Sequence, residues 1–489
     1  MLLGLDIGSS SVKAVILDPS TGKTIASATA PEQEMTIHAP HPGWAEQDPE
    51  SWWKHVLEVI AKMRRDSPEA VAGAKAIGIS YQMHGLVCVD RNGKPLRPSI
   101  IWCDSRAVGI GEQAFRALGE EYCSRHLLNS PGNFTASKLR WVKEHEPDVF
   151  SRIYKVMLPG DYIAYRLTGE ICTTATGLSE GVMWDFKEGR PAQRLLDHYG
   201  IDSEMLASIT DVFAPQGAVS ASVATETGLP VGTPVAYRAG DQPNNAFSLN
   251  VLNPGETAAT AGTSGVIYTV TESNASDPQS RVNTFLHVNH TEDLQRNGIL
   301  LCINGTGILN SWLRKTLGGM DYDAMNAEAA IAPIGAGGLS FLPFGNGAER
   351  ILENRNPGAS LMGLDLNRHD RSHLLRAAQE GIVFAMAYGF DILRGMGART
   401  AVVRAGKANM FLSPLFREAF VNTLQVPLEL YDTNGAAGAA VGAGIGAGIF
   451  SNFPEAFEGL DLITTVEPDP RIIPEYRDAC RLWTDRLLS

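Results

Sequence analysis

Two stretches of alternating apolar residues, each broken by a turn of glycine and hydroxyl side chains, constrain this chain most. LLGLDI at residues 2–7 runs into Gly8-Ser9-Ser10-Ser11, VKAVILD returns, and Pro19-Ser20-Thr21-Gly22 turns again into TIASATA. Period-two alternation on either side of a short turn specifies antiparallel strands. From Glu256, ETAATAGTSGVIYTVTES repeats the layout of strand, Gly/Ser/Thr turn and returning strand. The repetition fits an internally duplicated α/β chain, and by itself fits two unrelated hairpins equally well.

The rest of the chain supplies helices and further strands. Asp48 reads as an N-cap with Pro49 at the first helical position, and Trp53, Val56, Leu57, Ile60 and Met63 follow at helical spacing. Residues 74–80 read as a strand leading into Gln82-Met83-His84-Gly85, with 87–89 continuing it, and 105–210 read as mostly helical. A strand-like VGTPVAYRAG runs straight into Asp241-Gln242-Pro243-Asn244-Asn245. Later come a helix over 371–397, a strand TAVVRAGKAN and a helix LSPLFREAFVNTL. In NGAAGAAVGAGIGAG, Gly438, Gly442 and Gly446 lie four apart, on one helical face that permits close backbone approach. The natural seam is 243–253, dividing the chain into 1–243 and 244–489.

The length of 489 residues allows three domains of about 150 residues, or two larger ones. A net charge of −13 disfavours non-specific nucleic-acid binding. Six widely spaced cysteines without a CxxC read as reduced thiols rather than a disulfide framework or zinc site. No basic-then-apolar leader opens the sequence, and the most apolar run, 436–450, falls short of the roughly 20 residues of a membrane span. A soluble, cytoplasmic protein with no membrane partner is expected.

Three glycine-rich turns following strands could cradle phosphates with exposed N–H groups and hydroxyls: Gly8-Ser9-Ser10, Gly262-Thr263-Ser264-Gly265 and Gly406-Lys407-Ala408-Asn409. Each is equally an ordinary turn, and none matches GxxxxGK[ST] or a strand-following GxGxxG. Asp6 and Asp241 stand at strand ends beside such turns, where a carboxylate can hold magnesium through water or accept a proton from an attacking hydroxyl. Gln82-Met83-His84 and Trp102-Cys103-Asp104-Ser105-Arg106 mix hydrogen-bonding groups with apolar bodies, as a sugar requires. Trp44, Trp52 and Trp53 read as core and cap residues. His38, His41 and His84 lack metal-ligand spacing.

These residues resemble the FGGY carbohydrate kinases, and within them most closely those acting on D-xylulose. The resemblance runs over nearly the whole chain, through HPGWAEQDPESWW from His41, SYQMHGLVCVD from Ser80, FTASKLRWVKEHEPDVF from Phe134 and MLPGDYIAYRLTG from Met157. It continues in GDQ at 240–242, AGTSGV at 261–266 and ASLMGLDLNRHDRSHLLRAAQEG from Ala359. It implies an α/β, two-domain, actin-like (ribonuclease-H-like) ATPase fold, with sugar bound mainly by the first domain, ATP by the second, and catalysis in the cleft between. By motif match Asp241 would be the general base, with Asp6 near magnesium and the transferred phosphoryl; both are candidate metal contacts. Met83 and His84 would contact the ketose, with Gln82, Trp102, Asp104 and Gln242 completing the candidate acceptor set. Gly262, Thr263 and Ser264 would line the phosphates and Gly406 and Asn409 the adenosine. Gly8, Ser9, Ser10, Lys13, Gly305 and Lys407 complete the nucleotide set. The implied reaction is Mg-ATP-dependent phosphorylation of a ketopentose, D-xylulose to D-xylulose 5-phosphate, by a chain expected to form a homodimer.

Four positions depart from the family pattern. Gly347-Ala348-Glu349-Arg350-Ile351-Leu352 lacks the Thr-Pro that often follows Glu-Arg, and the turn Ala405–Asn409 has one glycine where two or three are usual. Gln242 stands where asparagine is common beside the catalytic aspartate, and Gly160 where lysine is common. A kinase for another sugar or polyol, a catalytically silent sugar-binding protein and an actin-like assembly ATPase are the competing readings.

Overall fold

A computed structural model describes residues 1–489. Two sheets organise them. The first takes β1 (Leu2–Ile7), β2 (Val12–Leu17), β3 (Thr24–Ala30), β4 (Ala76–Tyr81) and β5 (Val235–Gly240) in the order β5-β4-β1-β2-β3. β1, β2 and β3 form the antiparallel meander, while β4 and β5 lie parallel to β1. The second sheet contains β6 (Glu256–Ala261), β7 (Gly265–Thr271), β8 (Asn283–Leu286), β9 (Asn297–Ile303), β10 (Val402–Gly406), β11 (Leu428–Tyr431) and β12 (Leu462–Val466). Their order is β8-β9-β7-β6-β10-β11-β12. Without the edge strands β8 and β12, it repeats the first sheet: an antiparallel meander with two parallel strands added beside its first strand. The shared layout of the two meanders is a duplication of the whole unit.

The helix Pro49–Asp66 forms as the capping pattern predicts. The Asp48 carboxylate accepts from the Glu50 N–H, and Trp52, Trp53, Val56, Val59, Ile60 and Met63 are buried against the first sheet. The 105–210 region is helical at 108–118, 135–145, 159–168, 175–180 and 193–199. It also holds strands too short to announce themselves, such as 155–157, paired with 87–89, and 172–174, paired with 208–210.

The glycine-rich segment forms the helix Gly435–Gly446 and, although C-terminal in sequence, packs on the first sheet. Both partners supply glycines for this contact. A Cβ at Gly4 of β1 or Gly78 of β4 would overlap the carbonyl oxygens of Ala436 and Ala439. On the helix, Gly438 abuts Ser248, Gly442 the Tyr237 ring and Gly446 the Ala236 carbonyl, so the three glycines do share a contact face. The seam expected at 243–253 carries the helix Asp241–Ser248, which crosses from the first sheet toward the second and packs on Gly435–Gly446. No helix is long and apolar enough to cross a membrane, and all six cysteines are free.

Candidate active site

The carboxyl ends of β1, β4 and β5 lie side by side, Asp6 beside Ser80 and Ser80 beside Ala239. In parallel sheets that edge is where ligands enter. The Ser80 hydroxyl donates to Asp6 at 2.8 Å, and Lys13 sits opposite Asp6 on β2. Asp241 follows β5 directly as the first residue of its helix. Burial, and then the charge of Asp6, push its carboxyl up to about 7, while Gln242 opposes the shift by hydrogen bonding. Asp6 is also raised, by burial, against the pull of Ser80 and Lys13.

Beside these carboxyls, Met83 is buried and His84 adopts a left-handed backbone, φ 61°. The surroundings hold it there: Nδ1 donates to the Glu180 carbonyl at 2.8 Å, and the His84 carbonyl accepts from Lys138 Nζ at 2.9 Å. The ring meets Phe134 edge-on at 4.9 Å and lies 5.4 Å from Phe285 of β8. Burial and then Lys138 push the imidazole down to about 3, so it is neutral, and with the proton on Nδ1 it offers Nε2 as an acceptor. Half-exposed Trp102 reaches the first hairpin turn, its indole N–H donating to Ser9 Oγ at 3.3 Å.

One expected sugar contact faces elsewhere. Asp104 is fully buried: its carboxylate accepts from the Ala45 N–H at 2.6 Å and from Arg106 through Nε and Nη2 at 2.7–3.0 Å, leaving no open lone pair for a hydroxyl. Arg106 also pairs with Glu46 and stacks over Trp44, so the polar density of residues 102–106 builds an internal clamp. Gln82 is buried too; its amide donates to Gln47, which donates in turn to the Ser9 carbonyl. The Gln82 Oε1 is buried with no partner in the chain, which leaves it an acceptor for a ligand donor.

Two residues at the site were not singled out in the sequence. Lys138, within FTASKLRW, is fully buried and donates to the carbonyls of His84 and Ile101, both at 2.9 Å. Glu180, in TGLSEG, is a buried carboxyl beside His84, Tyr81 and Gly240. A lone glutamate on a six-residue helix carries no sequence signal; only the fold brings it here.

Across from these groups, the second sheet opens a cleft of about 470 Å³, lined by Gly262, Thr263, Gly307, Asn310, Tyr322 and Asn409 among others. The β6–β7 turn is anchored from below, its Gly262 carbonyl accepting from the Gly307 N–H at 2.8 Å, while the amides of Thr263 and Ser264 have no partner within the chain. Asn409 takes a left-handed backbone, φ 54°, and its amide adjoins Gly262. Gly406 ends β10 just before this turn, and Lys407 is exposed with its side chain unpartnered. Gly305 is packed against the Pro343 carbonyl, and its N–H donates to the Glu349 carboxylate at 2.9 Å, so it shapes the loop instead of facing the cleft. On the opposite turn, Gly8 closes the hairpin by donating to the Ser11 carbonyl at 3.0 Å, with Ser9 and Ser10 at its tip. Cys302 on β9 connects the two halves electrostatically: burial, then Glu349 and Asp241, push its thiol up to about 11.

Two of the four departures from the family pattern have local causes. A side chain at Gly160 would overlap the Tyr81 ring. The Glu349-Arg350 pair anchors its loop without Thr-Pro: Glu349 accepts from Asn304 and Gly305, and Arg350 donates to Asn283 Oδ1 at 2.7 Å while lying 5.7 Å over Phe134. The Gln242 side chain keeps its Oε1 buried and without a partner in the chain, which leaves that oxygen free for a ligand donor.

The donor set fits a magnesium nucleotide. No three His, Cys, Asp or Glu side chains converge on one point, whereas Asp6 and Asp241 come close enough to raise Asp241. Magnesium commonly takes one or two carboxylates and completes its octahedron with water and phosphate oxygens. The unpaired turn amides suit those phosphates.

A duplicated ribonuclease-H-like unit, with Asp6 and Asp241 at the strand ends of one half and a free-amide turn on the other, has the two-domain fold of the actin and sugar-kinase type. The chain belongs to the FGGY family of carbohydrate kinases, whose N-terminal domain matches residues 1–248. It is 30% identical to the xylulose kinase of Klebsiella pneumoniae over 487 residues, 97% of this chain and 96% of that protein. The crystal structure of a xyloylose kinase from Brucella ovis superimposes with a TM-score of 0.89 at 28% identity, covering 99% of this chain and 98% of that one. Plasmodium falciparum glycerol kinase with ADP shares the fold, with a TM-score of 0.88 at 20% identity over 100% and 98% of the two chains.

Proposed function

We propose that this chain transfers the γ-phosphoryl group of ATP to a terminal hydroxyl of D-xylulose, with Asp241 as general base. The observation that carries the mechanism is the placement of Asp241: at the end of β5, directly after Gly240, which Met83 packs against, with its carboxyl pushed up to about 7. A base works best when its pKa lies near the operating pH. The full-length similarity to xylulose kinases supports the choice of acceptor.

Phosphoryl transfer has a loose transition state, so the protein's task is alignment and charge stabilisation. Asp241 orients the acceptor hydroxyl and takes its proton as the new P–O bond forms. Neutral His84 accepts from a second hydroxyl through Nε2, which helps fix which carbon is presented. The amides of Thr263 and Ser264 hold phosphate oxygens across the cleft. Asp6, with Asp241 through an intervening water, would hold magnesium, which would neutralise phosphate charge. Phe134, Phe285 and Met83 keep the acceptor side apolar and limit water as a competing acceptor.

The test is ADP release with Mg-ATP across D-xylulose, L-xylulose, D- and L-ribulose, glycerol, gluconate and no sugar. Selective turnover of D-xylulose supports the proposal. Selective turnover of another member keeps the mechanism and overturns the acceptor. Silence across the panel overturns the kinase reading for these acceptors.

A further inference from the structure

Three chain segments meet behind the acceptor site at one buried carboxyl. Glu180, 2% exposed, ends the helix Ala175–Glu180. One of its oxygens lies 3.4 Å from the His84 N–H, and its own carbonyl accepts from His84 Nδ1 at 2.8 Å. Its other oxygen fills the space that a side chain at Gly240 would need, and Met83 crowds the same point. Gly240 immediately precedes Asp241. The Tyr81 hydroxyl adjoins the carboxyl from β4, and Gly160 is packed against that tyrosine ring. With Lys138 on the carbonyl side, His84 is therefore held at N–H, ring and C=O in a backbone conformation that a non-glycine residue seldom adopts.

We propose that Glu180 is a positioning residue of the acceptor site, setting both the left-handed turn at His84 and, through its contact with Gly240, the start of the helix that carries Asp241. The inference rests on the kinase reading above and adds a residue to it. Glu180 does not touch the reacting atoms; it fixes the separation between the group that orients the sugar and the group that takes its proton. What matters for this role is reach and shape, and the negative charge is dispensable.

Three substitutions separate these properties. Glu180→Gln keeps the length and an acceptor oxygen without charge, Glu180→Asp keeps the charge but withdraws it by one methylene, and Glu180→Ala removes both. With the acceptor identified for the wild type, Gln keeps the sugar KM within about threefold, whereas Asp and Ala raise it about tenfold or more, and the KM for ATP stays within about twofold in all three. Melting temperatures of the three variants are read alongside, and Gln and Asp provide the comparison if Ala does not fold. Asp behaving like wild type while Gln fails overturns the proposal in favour of a charge role. Sugar and ATP KM values rising together, in step with a fall in melting temperature, overturn it in favour of a general structural role. If the wild type phosphorylates nothing in the panel, the kinase reading fails and this inference falls with it; an active wild type whose variants show no sugar-specific split overturns the inference alone.

Discussion

The amide of Asn244 donates to the carbonyl of Gly435 at 2.8 Å, joining residues 191 positions apart. Asn244 sits on the helix that begins with Asp241, and Gly435 begins the glycine-rich helix. Gly435 also touches Asp6: a Cβ there would stand 2.9 Å from Asp6 Oδ2. One backbone position thus fixes the geometry between the two carboxyls assigned to base and metal contact.

Substituting Gly435→Ala is expected to push Asp6 out of place while leaving the acceptor wall intact. A misplacement of this kind costs kcat roughly tenfold or more, with the sugar KM little changed. Steady-state kinetics with each substrate varied in turn checks the split.

The pH dependence follows from Asp241. Its carboxyl must be ionised to accept a proton, and burial plus Asp6 hold it near 7. The value of kcat/KM for the acceptor is therefore expected to fall about tenfold per pH unit below that point. Asp6→Asn removes the second cause and moves the midpoint to lower pH, whatever it does to the maximal rate. Profiles of both proteins between pH 5 and 9 decide the matter.

Stability carries the same signature with its own sign. The folded Asp241 binds its proton more tightly than an unfolded carboxyl, whose ordinary value is near 4. The folded state is thus favoured while the group is protonated and loses that advantage as pH rises from about 4 to about 7. Asp241→Asn is expected to melt above wild type at pH 8, with the gap closing toward pH 4.5. Thermal melts at the two pH values test this.

Arg106 lends itself to a structural prediction that distinguishes the clamp from a sugar site. Its guanidinium is buried, engaging Asp104, Glu46 and Trp44 together. Arg106→Lys cannot reproduce the fork, and leaving Asp104 under-satisfied in the interior costs about 3 kcal/mol. Urea unfolding measures the loss. The sugar KM of the folded variant stays within about twofold, because Asp104 faces the clamp and not the cleft.

The local patterns were legible in the sequence. Alternation marked β1, β2, β6 and β7, Asp48 and Pro49 marked a helix start, and Gly438, Gly442 and Gly446 marked a face for close packing. The partner of that face was not legible, because Gly4 and Gly78 are more than 350 residues away in the chain and carry no helical signal. Asp104 looked like sugar chemistry and stands in an ion-pair clamp with Arg106, since composition does not reveal which way a carboxylate points. Gly305 misled for the same reason: close approach to the Pro343 backbone requires glycine there as firmly as a phosphate would. Glu180 and Lys138 needed the fold itself, being isolated charges that become a site only where β4, β5 and two helices converge.

The proposed chemistry turns on Asp241 taking the acceptor proton in the cleft between the two domains. Single-turnover phosphoryl transfer to D-xylulose should be compared between wild type and Asp241→Asn, with sugar and Mg-ATP binding titrated separately. Transfer is expected to fall by about 10³-fold or more in the variant while both dissociation constants stay within about threefold. An Asn variant that transfers at the wild-type rate, or one that simply loses the sugar, would contradict the assignment.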